Sequence, residues 1–211
     1  MKRTIMLAGL VSALFATSAL AAMDNFDRPA LGSRWVATSG SQSISGNRFV
    51  GDSGSLGYFK RSSLDSTITA VVYLPTADFQ YGAVASGNIA GGNNAFVKIQ
   101  AQDGTGLFDH AAFYTGNNSG SQFFTLKKPV ASPATLTVSF CGTIATMIIK
   151  SIGGKQVYSY DYGTTFGNGG GLGTYGPAEL DNYKSMPTGC ALVEKGTRIT
   201  RSNARDLSQS K

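Results

Sequence analysis

TLTVSFCGTIATMIIK, residues 135–150, reads as two strands folded back on each other. Leu136, Val138 and Phe140 alternate with small polar residues, the period of a strand with one buried face. Cys141-Gly142 supplies a tight bend. On the return, Ala145, Met147 and Ile149 stand opposite Ile144, Thr146 and Ile148. Both faces are apolar enough to predict a central strand covered on both sides. The same period of two runs through residues 65–74, where Ile68, Ala70, Val72 and Leu74 share a face and Thr67, Thr69, Val71 and Tyr73 the other. In residues 95–102, Ala95, Val97, Ile99 and Ala101 form an apolar face, and Phe96, Lys98, Gln100 and Gln102 a mixed polar one. Gly46-Asn47 joins two short strands as a two-residue hairpin turn. Turn signals recur roughly every 8–12 residues without helical periodicity, which predicts an all-β sandwich or barrel. No internal repeat of roughly 20–50 residues points to a propeller or solenoid.

The two ends of this strand-rich region carry related tripeptides, Asp24-Asn25-Phe26 and Asp181-Asn182-Tyr183. They are expected on adjacent strands that close the sandwich, with Phe26 and Tyr183 packed inward. Trp35, the single tryptophan, is expected to pack against the core. Upstream, Lys2-Arg3, an apolar run over residues 5–16 and Ala19-Leu20-Ala21 have the form of a secretory signal peptide, too short for a membrane span. The predicted organisation is therefore a signal peptide at 1–21, one β-sandwich domain at 22–186 and a basic polar C-terminal tail at 187–211, frayed beyond Cys190. The expected location is secreted, periplasmic or extracellular, with no transmembrane segment in the mature chain.

Formal net charge is +6, and loss of Lys2 and Arg3 lowers it to +4. Residues 191–211 hold five Lys/Arg against two acids, so the body is nearly neutral and unlike a nucleic-acid groove. The two cysteines, Cys141 and Cys190, are expected to form a disulfide in an exported chain. Asn117-Asn118-Ser119 matches a glycosylation sequon.

DNFDRPALGSRW (24–35), the Ser-Ile-Ser-Gly-Asn-Arg-Phe hairpin, the Asn-Asn-Ala-Phe-Val-Lys-Ile strand and the closing Leu-Asp-Asn-Tyr together resemble the concanavalin A-like lectin/glucanase, laminin-G-like domains. The resemblance covers about residues 24–185. It implies a two-sheet antiparallel jelly-roll sandwich and a role in binding glycan or polysaccharide.

The catalytic signature of that group's glucanases, Glu-x-Asp-x-x-Glu, is absent. The only glutamates are Glu179 and Glu194, and Glu194 lies in the tail, whereas glycoside hydrolysis needs two carboxyl groups flanking one bond. Asp103 and Asp109 straddle a glycine turn. A lyase site could be assembled from His110, Tyr114, Lys98 and Gln100, but His110 is the only histidine. The expected function is accordingly exported, non-catalytic glycan binding, with a structural or adhesive envelope module and a lyase or hydrolase as alternatives. Tyr81, Lys98, Gln100 and Tyr114 are the candidate ligand contacts. Aromatic rings stack on sugar C–H faces, while amide and ammonium groups bond hydroxyls. Calcium is the one cofactor considered, with Asp24, Asp27 and Asp181 as candidate ligands if the ends meet.

Overall fold

Alternation of buried and half-exposed residues becomes strand after strand in the computed structural model, which describes residues 21–52, 54–60, 65–87, 94–116, 122–188, 190 and 197–199. The predicted signal peptide (apart from Ala21), the sequon and most of the tail lie outside the described residues. In chain order the strands are β1 (Ala22–Asp24), β2 (Trp35–Ser39), β3 (Gln42–Ser45), β4 (Arg48–Gly51), β5 (Ser55–Lys60), β6 (Ser66–Tyr73), β7 (Gln80–Gly87), β8 (Ala95–Ala101), β9 (Leu107–Thr115), β10 (Gln122–Ala131), β11 (Ala134–Cys141), β12 (Ile144–Ser151), β13 (Gly154–Asp161), β14 (Gly169–Tyr175), β15 (Glu179–Pro187) and β16 (Thr197–Arg198).

Two sheets face each other. One runs β16-β13-β12-β11-β6-β15-β4-β3, with β1 also on β15; the other runs β10-β9-β8-β7-β14-β5-β2. Apart from the parallel β13–β16 pair, the pairings are antiparallel. The Gly46-Asn47 turn has both residues at positive φ, 56° and 61°, the twist a two-residue hairpin needs. Between the sheets the alternate residues predicted to point inward do so: Ile68, Ala70, Val72, Val97, Ile99, Leu136, Val138, Met147 and Ile149 are all buried in one core.

The two Asp-Asn-aromatic segments meet as expected. β1 pairs with β15, and Asp24 lies opposite Tyr183. Phe26 and Tyr183 are buried with Trp35, Phe49 and Phe59, in a cluster whose neighbouring rings have centroids 5.0 to 5.9 Å apart. Asp24 is the polar centre of this cluster. Its carboxylate accepts from Trp35 Nε1 at 2.7 Å, the Phe26 N–H at 2.9 Å and both Arg28 terminal nitrogens at 2.6 and 2.5 Å. Phe26 sits at φ 56°, which a bulky side chain seldom adopts. The Asp24 bond to its N–H and the surrounding rings hold it there.

Two local expectations need correction. β12 is not covered on both sides: Ala145, Met147 and Ile149 face the core, but Ile144 is 42% exposed. No described helix lies over that sheet, and Ile148, whose cross-strand partners are Thr137 and Val157, is half-exposed. Beyond Cys190 the described residues, 197–199, are docked on the sandwich. Thr197 and Arg198 pair with Tyr158 and Ser159, and Ile199 is buried in the core. A two-residue strand is too short to show alternation. Cys141 and Cys190 are disulfide-bonded.

Candidate functional site

The outer face of the seven-stranded sheet gathers the predicted ligand contacts. Cross-strand partners share a face, so the register Tyr81↔Gln100, Ala83↔Lys98, Lys98↔Ala112, Phe96↔Tyr114 and Gln100↔His110 puts all four expected residues on one surface. Tyr175 joins them opposite Tyr81, and Phe123 opposite Ala112. β7, β8, β9, β10 and β14 thus contribute one continuous patch.

Lys98 is its centre. Its Nζ lies 4.4 Å from the Tyr81 ring centroid and 5.5 Å from that of Tyr114. Both rings attract the cation through their negative faces. Around this core, Tyr81 stacks on Tyr175 at 5.3 Å, and Tyr175 meets Phe79 edge-on at 5.3 Å. On the other side Phe96 stacks on Tyr114 at 4.9 Å. Phe79 is 44% exposed, a large ring left open to solvent at the end of this aromatic run. The floor is made of small buried residues, Ala83, Ala112 and Gly173, which leave height for the longer side chains. A Cβ at Gly171 would sit 2.8 Å from Tyr58 Cδ1 and Cε1, so only glycine lets the Tyr58 ring lie flat across β14.

Burial tunes the polar groups. It lowers the Lys98 pKa to about 8, because the charged form loses hydration. Burial also raises the Tyr81 and Tyr114 pKa values, most at Tyr114, whose hydroxyl pairs with that of Tyr81. Gln100 is 2% exposed; its Nε2 donates to Gln102 Oε1 at 3.0 Å, while its Oε1 is buried without a partner.

His110 stacks on Phe123 at 4.8 Å, and its Nε2 lies 3.2 Å from Thr125 Oγ1. Its Nδ1 lies 3.0 Å from Asp109 Oδ1 but out of line for a hydrogen bond. Asp109 serves the β8–β9 connection, accepting from the Gln102 and Asp103 N–H groups, each at 3.0 Å. Burial would raise its pKa, but the His110 contact and those two N–H groups hold it below the usual range. Asp103, Asp109 and His110 form the one described group of three side chains whose ligand atoms lie within 4.8 Å of each other. Both Asp109 oxygens already serve the backbone.

Asp24, Asp27 and Asp181 do not come together as such a group among the described residues. The Asp24 oxygens are committed to Trp35, Arg28 and the Phe26 N–H. Asp27 accepts from Asn25 Nδ2, and Asp181 from the Asn182 N–H at 2.6 Å. Two described cavities, of about 450 and 330 Å³, flank Asp24 and Arg28 rather than the aromatic patch. Their lining includes Met23, Leu31 and Lys184, without a convergent ring set.

Sequence reasoning missed Phe79, Tyr175, Phe96 and Phe123 as members of the patch. Tyr175 comes beside Tyr81 only because β14 enters between β5 and β7, a long-range pairing that no local pattern announces, while Phe96 and Phe123 reach the face through the β8–β9 and β9–β10 pairings. The alternate glycines of β14 were the available signal, since glycine inside a strand marks a close approach.

The two facing sheets, their strand order and the closure of β1 on β15 define a concanavalin A-like jelly-roll fold. No family model matches the sequence, and no curated protein matches it. Among solved structures, the xylan β-1,4-xylosidase of Bacillus halodurans C-125 is similar over 78% of this chain and 38% of its own, at 14% identity and TM-score 0.52. The chain thus spans well under half of that enzyme. Lectin UEA-II complexed with galactose is similar over 81% of this chain and 99% of its own, at 8% identity and TM-score 0.52. The Bacillus licheniformis β-glucanase is similar over 80% and 98%, at 8% identity and TM-score 0.52. At these identities the likeness concerns the fold.

Proposed function

We propose that the protein binds a polysaccharide or glycan chain, without cleaving it, along the outer face of its seven-stranded sheet. The observation that carries this reading is the Lys98 ammonium set between Tyr81 and Tyr114, continued by Tyr175 and the exposed Phe79. Half-buried rings in a row offer stacking surfaces for successive sugar rings, and Lys98 and Gln100 offer polar contacts between them. The cross-strand partners on this face include no Asp or Glu, so it lacks the paired carboxyls of a glycosidase. Among the described residues no helix is long and apolar enough to cross a membrane. The disulfide and the signal-like N-terminus support work outside the cytoplasm.

Affinity electrophoresis through gels containing a panel of polysaccharides tests the reading. At least one polymer is expected to retard the protein. Tyr81→Ala is expected to weaken that retention about tenfold, the loss of one stacking contact of about 1.4 kcal/mol. A panel without retardation, together with capture of a protein partner, would instead favour an adhesive module.

A further inference from the structure

Lys98 is an unusual residue for a surface that binds only neutral sugar. It is half-buried, and none of the described ion pairs includes it. The titratable side chains facing it are Tyr81 from β7 and Tyr114 from β9, through their rings, with Tyr175 of β14 beyond Tyr81 and His110 of β9 beyond Gln100. None of these four side chains carries a carboxyl group. Among the described residues the cation therefore has ring faces but no counter-charge. Next to it, the buried Gln100 Oε1 is an acceptor with no donor. Burying such groups unmatched costs free energy, and a ligand that supplies both partners recovers it.

We infer that the glycan bound on this face is acidic: a monoanionic group on a sugar ring sits on Lys98 Nζ, and a hydroxyl of the same or the next ring donates to Gln100 Oε1. This rests on the glycan-binding reading above and narrows it to one substrate class. The anion can be the carboxylate of a uronic acid or a sulfate ester, since a single ammonium offers a point charge to either. The aromatic surroundings strengthen the pair by excluding water around it.

The geometry carries a pH consequence. Anion binding requires the protonated lysine, whose pKa in the free protein is lowered by burial to about 8. Affinity is full below that value and falls as pH rises through it, by about tenfold between pH 7 and pH 9.

The test measures binding by calorimetry to polygalacturonate, to its carboxyl-reduced neutral form, and to dextran sulfate beside unmodified dextran. At least tenfold tighter binding to a charged polymer than to its neutral counterpart is expected, and the pair showing it identifies the anion. Lys98→Met is expected to erase that preference. Lys98→Arg is expected to keep it and to remove the decline between pH 7 and pH 9, a readout that a purely structural role would leave unmoved. Equal affinity for charged and neutral polymers, or an unchanged preference in Lys98→Met, overturns the inference while leaving glycan binding intact. Absence of binding to every polymer here and in the wider panel overturns both. The wild-type comparison of charged and neutral polymers stands even if a variant fails to fold.

Discussion

Asp24→Ala is expected to lower the unfolding free energy by about 3 kcal/mol and the melting temperature by roughly 6–12 °C. The substitution leaves the Trp35 indole N–H and the Phe26 N–H without their acceptor inside a ring cluster that excludes water. Each lost partner costs about 1–3 kcal/mol. The Arg28 ion pair adds little, because the arginine side chain is 36% exposed and can return to solvent. Titration gives the same site a pH signature. Burial by itself would raise the Asp24 pKa, but the bonds from Arg28, Trp35 and the Phe26 N–H outweigh it and hold the value below that of a free aspartate. Its folded pKa is therefore depressed. The contribution is present above the unfolded value, about 4, and is lost as pH falls through the folded one. Asp24→Asn keeps an acceptor and is expected to lose less stability and to flatten this acid limb. A melting temperature unchanged in Asp24→Ala would remove the carboxylate from its role in closing the sandwich.

Cys190→Ser, paired with Cys141→Ser, is expected to cost about 4 kcal/mol. The two cysteines are 49 residues apart, and closing a loop of that length restricts the unfolded chain by about this amount in the chain-entropy account. The bond also tethers the segment that leads to β16, whose two residues pair with β13 ahead of the buried Ile199. Loss of the disulfide is therefore expected to speed amide exchange at Ile199 as well as to lower global stability. Denaturant unfolding of the double variant, beside wild type with and without reductant, measures both effects. A cost below about 1 kcal/mol would mean that the unfolded chain is already restricted in this region.

Much of the architecture was legible because it was written in short-range alternation. β6, β8 and β11 each show one face of apolar residues, and each buries that face. The same alternation put Lys98 and Gln100 together on the other face of β8. The repeated Asp-Asn-aromatic segments pointed to closure, and Asp24 lies opposite Tyr183 as their likeness suggested. What the alternation could not supply is the order in which strands lie side by side. Tyr175 stands beside Tyr81 because β14 pairs with β7, and Tyr58 crosses β14 because Gly171 has no side chain. The calcium expectation considered only that the three aspartates would be near one another. It did not foresee that the Arg28 fork and the Trp35 indole would take up the oxygens of Asp24.

The most direct test of the central claim is a map of amide chemical-shift changes in ¹⁵N-labelled protein titrated with an oligosaccharide cut from the polymer that retards it. The expected changes centre on the amides of Tyr81, Ala83, Lys98, Gln100, Ala112, Tyr114 and Tyr175 on the outer face of the seven-stranded sheet. Changes centred instead on Met23, Arg28, Asn182 and Lys184, beside the cavity at the sandwich closure, would contradict it.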